Sequence, residues 1–155
     1  MTRPVRITVV GAGRCNPEAA SIAERVGREI AQRGGVLVCG GLGGVMEAAA
    51  RGARDAGGLT VGILPGVRAD DANEFIDLPI PTGLGEARNL VNVRAADAVV
   101  ALPGGHGTLS EIALALKAGI PVVAVSSWNT VDDVLVVESP EEAAERAFAL
   151  ARRPR

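Results

Sequence analysis

The chain has 155 residues, of which 48% are hydrophobic and 22% charged, and its formal net charge is −2. That suits one globular domain over residues 1–155 with enough length for a buried core, and it argues against general nucleic-acid affinity. No apolar run approaches membrane-spanning length, so no membrane partner is expected.

Met1-Thr2-Arg3-Pro4 leads directly into a β-branched run, residues 6–10, which predicts a first strand and no secretion signal; a cytoplasmic location is expected by default. Gly11-Ala12-Gly13 opens the loop after it. Residues 18–33 carry Ala19, Ile22, Ala23, Val26 and Ile30 on one stripe, a helix stopped by Gly34-Gly35. Residues 36–39 read as a strand buried on both faces. A second glycine turn, Gly40-Gly41-Leu42-Gly43-Gly44, leads to a helix over 45–56. A strand at 60–64, a loop at 67–74 and a short strand at 75–78 follow. Thr82-Gly83-Leu84-Gly85 precedes a helix over 86–95, then a strand at 98–101.

The next segment is Leu102-Pro103-Gly104-Gly105-His106-Gly107-Thr108-Leu109-Ser110-Glu111, a glycine turn opening a helix that runs to about Ala118. The chain then gives a strand over 120–126, another at 134–137, and a last helix reaching about Arg152 behind the start signal Ser139-Pro140-Glu141-Glu142. This alternation predicts an α/β, Rossmann-like, doubly wound and mainly parallel sheet with helices on both faces. Right-handed crossovers then bring the glycine turns at 11–13, 40–44, 83–85 and 104–107 to one rim, where such sheets bind ligands.

Helix-first N–H groups lack internal partners and carry the positive end of the dipole, and glycine lets a ligand approach the backbone. Gly104, Gly105, His106, Gly107 and Thr108 are therefore expected to hold a phosphate, together with Gly11, Gly13, Gly40, Gly41, Gly43 and Gly44. A competing reading makes Thr108 and Glu111 a capping box with a structural role only. His106, the sole histidine, is either an acid, base or phosphate donor or simply a tolerated residue between glycines.

Several chemistries are disfavoured. Asn16 stands where a dinucleotide fingerprint has its third glycine, and no acid follows the second predicted strand. The only lysine, Lys117, ends a helix, far from any Walker turn or Schiff-base position. Cys15 and Cys39 make no disulfide framework and are expected to be free thiols. No ligand spacing suggests a metal site, and no cofactor is expected.

The stretch from Pro103 to Glu111 resembles the PGGxGTxxE motif of the LOG-like proteins, often labelled lysine decarboxylases. Gly40 to Glu47 resembles their second glycine turn. The Asn73 region, Pro81 to Asn89 and residues 95–111 resemble more closely a short bacterial branch related to molybdenum cofactor carrier proteins. The resemblance covers most of residues 5–126.

It implies a Rossmann-like homodimer or homotetramer acting on a nucleoside 5′-monophosphate. Its N-glycosidic bond is cleaved to free base and ribose 5-phosphate, with Arg88 and Glu111 as catalytic pair and Asn89 among the binding residues. A carboxylate suits the oxocarbenium character that develops on the ribose, and an arginine suits phosphate. This sequence departs from the pattern at Gly85-Glu86, where a Met-His pair is usual, at Asn89 in place of lysine, and at Glu47 in place of glycine. The carrier resemblance implies an alternative: a non-catalytic carrier or sensor of a phosphorylated nucleotide or pterin.

Overall fold

Strands and helices alternate throughout the computed structural model, which describes residues 2–152. Met1 and residues 153–155 lie outside the described residues. The elements are β1 (Arg6–Val10), α1 (Pro17–Gln32), β2 (Val36–Cys39), α2 (Val45–Asp55), β3 (Thr60–Leu64), β4 (Leu78–Pro81), α3 (Arg88–Arg94), β5 (Ala98–Ala101), α4 (His106–Lys117), β6 (Val122–Val125), β7 (Leu135–Val137) and α5 (Pro140–Ala151). All strands pair in parallel in the order β4-β3-β2-β1-β5-β6-β7. The fold is the predicted Rossmann-like α/β sheet. Its order reverses between β1 and β5, which opens a crevice at the carboxyl edge.

The period-two alternation of strands sorts the core. Ala98 and Val100 of β5 join Ile7 and Val9 under α1, α2 and α5, while Val99 and Ala101 join Val10 under Val93 of α3 and Ile112 of α4. Helix starts follow local chemistry. Asn16 caps α1 by accepting from the Ala19 amide at 2.8 Å, and Ser139 caps α5 by accepting from the Glu142 amide at 3.1 Å.

Four expectations are corrected. The strand predicted at 75–78 forms instead at Leu78–Pro81. Its Pro79 and Pro81 are tolerable because β4 is the sheet edge. Phe75 and Asp77 are diverted to Thr60: its hydroxyl donates to the Phe75 carbonyl at 2.6 Å, and its amide donates to the Asp77 carboxylate at 3.0 Å. The loop at 67–74 contains a short 3-10 turn, Ala69–Asp71. The helix predicted from residue 86 begins as another 3-10 turn, Gly85–Ala87, and becomes α-helical only at Arg88. The strand predicted at 120–126 shortens to Val122–Val125.

At the amino edge, opposite the crevice, Asp97 takes a bidentate contact from Arg3 at 2.8 Å and the Arg6 amide at 2.9 Å. Burial pushes the Asp97 carboxyl up, but these bonds and the Arg6 guanidinium outweigh it and hold the group well below the usual carboxylate range. A depressed folded-state value contributes stability above the unfolded value, and that stability is lost as pH falls through the folded one. Asp97→Asn is therefore expected to melt below wild type at pH 7, with the gap narrowing in acid. Equal melting temperatures at neutral pH would remove the assignment.

Candidate functional site

The loops after β1, β2 and β5 are tied together at the crevice. The Ala12 amide donates to the Pro103 carbonyl and the Val45 amide donates to the Ala12 carbonyl, both at 3.0 Å. Gly104 sits where a Cβ would lie 2.1 Å from Thr108 Oγ1 and 3.0 Å from the Ala12 amide nitrogen. Gly44, at φ +64°, faces the Gly13 backbone in the same way. Glycine is needed at both positions for close approach of one loop to the next.

Between these loops lies a cavity of about 300 Å³. Of the sequence-predicted residues, Gly11, Gly13, Gly40, Gly105, Gly107, Thr108, Arg88, Asn89 and Glu111 line it. Gly41, Gly43, Gly44 and Gly104 do not; the first, third and fourth shape the loops behind it. His106 lines an adjoining outer groove of about 760 Å³, which shares Arg88, Asn89 and Gly107 with the cavity and extends past Glu86, Leu90 and Leu114.

The capping box is not formed. Gly105 is the N-cap of α4, no side chain caps that helix, and Thr108 is buried inside its first turn. The first-turn amides of α4 are thus left for another acceptor. Glu111 lies one turn further along, where it meets α3.

Arg88 is placed by backbone rather than by a carboxylate. Its Nη1 donates to the Gly40 carbonyl at 2.6 Å and the Ile63 carbonyl at 2.7 Å, and its Nε donates to Asn89 Oδ1 at 3.0 Å. The absent side chain of Gly40 makes room, since a Cβ there would come 2.5 Å from Arg88 Nη1. The cation therefore bridges the ends of β2 and β3.

Burial lowers the Arg88 pKa, opposed by the charge of Glu111. Burial raises that of Glu111, opposed by a hydrogen bond from Asn92 and by Arg88. Cys39, the last residue of β2, is pushed up to about 11 by burial, so it is a neutral thiol and a poor nucleophile at pH 7. Cys15 and Cys39 are both free thiols.

Sequence reasoning missed three contributors. Asn92 is a polar residue beside buried Val93, and its Nδ2 reaches Glu111 Oε2 at 2.7 Å. Met46 lines the cavity. The Trp128 indole donates to the Leu102 carbonyl at 2.9 Å and braces the start of the glycine turn. Only Asn92 left a signal, a polar side chain one helical turn from Arg88.

Among the described residues no group of His, Cys, Asp and Glu could hold a metal ion, and no helix is long and apolar enough to cross a membrane.

The profile of the SLOG cluster4 family matches residues 4–154. An uncharacterised protein of Archaeoglobus fulgidus is 49% identical over 139 residues, covering 90% of this chain and 91% of that protein. A cytokinin riboside 5′-monophosphate phosphoribohydrolase of Mycobacterium tuberculosis is 39% identical over 129 residues, 74% of this chain, and the match spans 66% of that enzyme. Two solved structures superpose with a TM-score of 0.90. The molybdenum cofactor binding protein of Rippkaea orientalis is 38% identical and is covered over 99% of its length, against 97% of this chain. The molybdenum cofactor carrier protein MCP of Chlamydomonas reinhardtii is 34% identical and covered over 100%, again against 97% of this chain.

Proposed function

The chain belongs to the SLOG cluster4 family, and from that premise we propose that it holds a small phosphorylated molecule, a nucleoside monophosphate or a phosphorylated pterin, without cleaving it. The phosphate sits against the first-turn amides of α4 at Gly105, Gly107 and Thr108. The heterocycle occupies the outer groove past Leu90 and Leu114. The observation that carries the reading is the state of Arg88. Its Nη1 and Nε are already engaged by carbonyls and Asn89, so the group is a fixed wall of positive charge more than a mobile phosphate clamp. End-to-end likeness to the two cofactor-binding proteins supports the same reading.

A second reading, hydrolysis of the N-glycosidic bond with Glu111 and Arg88 as the catalytic pair, is favoured by the Glu111 carboxylate on the same cavity. Equilibrium binding of AMP and of a phosphorylated pterin, with assay of released ribose 5-phosphate over a panel of monophosphates, separates the two. Binding without release is expected. Steady release of ribose 5-phosphate would replace the first reading by the second, and no binding of any monophosphate or pterin would end both.

The protein also self-associates in this reading. Leu84, Leu90, Val91 and Leu109, on and beside α3 and α4, are exposed at 52%, 42%, 38% and 38%, more apolar surface than a polar helix face presents. Sedimentation showing only monomers would remove that part.

A further inference from the structure

Asn92 follows Arg88 by one helical turn on α3, so the two lie on one side of the helix. It is 1% exposed and lines the same cavity as Glu111. Its Nδ2 donates to Glu111 Oε2 at 2.7 Å. Its Oδ1 is the one buried side-chain polar atom among the described residues with no partner. The Asn92 backbone carbonyl is engaged separately, by the Thr8 hydroxyl at 2.9 Å.

A buried amide normally satisfies both ends, and a bare carbonyl in a core is unfavourable. Here the side chain leaves its acceptor bare while its donor meets a carboxylate. A hydrogen bond to an ionised acceptor is roughly twice as strong as a neutral one, which is enough to fix the amide in this orientation. The buried carbonyl is thus a price of serving Glu111.

We propose that Asn92 is a positioning residue, whose amide fixes the Glu111 carboxylate at the cavity and holds it in its ionised, hydrogen-bond-accepting form. The groups that face Glu111 across the packing are Arg88 from α3 and Cys39 from the end of β2. His106, on α4 itself, lines the outer groove. Cys39 is a neutral thiol, so Arg88 and Asn92 are what oppose the burial of the anion. What the carboxylate is held for rests on the proposed function; that it is held does not.

The test follows the Glu111 carboxyl carbon by NMR through a pH titration of the whole, ligand-free protein, the signal being assigned by its loss in Glu111→Gln. Asn92→Leu removes the donor, and Asn92→Asp keeps the shape while replacing the donor by an acid. At the pH where Glu111 is half ionised in wild type, both variants are expected to be about fivefold less ionised. Should the leucine variant fail to fold, the isosteric one carries the test. A space-filling Asn92 would change the melting temperature and leave the titration where it was. Variants that titrate with wild type overturn the proposal. A shifted titration in a protein that binds no monophosphate or pterin upholds it and removes the proposed function instead.

Discussion

Gly52→Ala, and Gly27→Ala independently, are expected to lower the melting temperature by about 10 °C, corresponding to roughly 3 kcal/mol in a chain of this size. These glycines are where α1 and α2 touch. A Cβ on Gly27 would lie 1.9 Å from the Ala49 carbonyl oxygen and 2.8 Å from its carbon; one on Gly52 would lie 1.9 Å from the Glu24 carbonyl oxygen. Both obstacles are backbone of the facing helix, which no rotamer change relieves.

The helices must part, and the contacts of buried Ala23, Val26, Ala49 and Ala53 loosen with them. Alanine is the better helix former by about 1 kcal/mol, so the sign depends on the clash exceeding that gain, which overpacking against rigid backbone does. Gly107→Ala is the control, because a Cβ there meets nothing within 4 Å; it keeps or raises the melting temperature. Thermal unfolding followed by circular dichroism decides. A Gly52→Ala protein that melts with wild type would mean that the two helices do not approach this closely.

The same residues explain what a reader of the sequence can see. Glycine turns between a β-branched run and an apolar-periodic run are local signals, so β1, β2, β3 and β5 and the rim they share are legible. Period-two and period-3.6 patterns need no knowledge of partners. β4 falls later than the expected 75–78, over Pro79 and Pro81, because at an edge proline costs no ladder bond. Thr108 and Glu111 have capping-box spacing, yet the helix starts at His106, since Gly104 and Gly105 let the turn tighten earlier than the pattern indicates.

Within the site, residue identities were legible and their partners were not. From the resemblance Arg88 is expected as one of a pair with Glu111, with an anion as its partner. Its engagement with the Gly40 and Ile63 carbonyls depends on the start of α3 meeting the ends of β2 and β3. Asn92 finds Glu111 across the α3–α4 contact, a relation set by packing that no periodicity encodes.

Arg88→Met is expected to weaken phosphate-ligand binding by about 100-fold, and Arg88→Met and Glu111→Gln are expected to move stability in opposite directions. Losing Arg88 leaves the Gly40 and Ile63 carbonyls without their donor and Glu111 without its counter-charge. About 2 kcal/mol of stability goes with it, a figure kept modest because the guanidinium is only half-buried. Arg88→Lys recovers part of this, since one ammonium reaches a carbonyl but cannot reproduce the planar fork.

Glu111→Gln acts the other way. Burial raises the Glu111 pKa in the folded protein despite Asn92 and Arg88, so the folded state holds its proton more tightly than the unfolded chain. Stability is then fully present below the unfolded carboxylate value and is lost as pH rises through the folded one. A glutamine keeps the shape without that loss. It is expected to melt above wild type at pH 7, with the advantage vanishing as the solution is acidified below the carboxylate range. The Glu111 carboxylate is thus a local cost to the fold. A Glu111→Gln protein that is less stable than wild type at pH 7 would show instead that the carboxylate is there to hold α3 against α4.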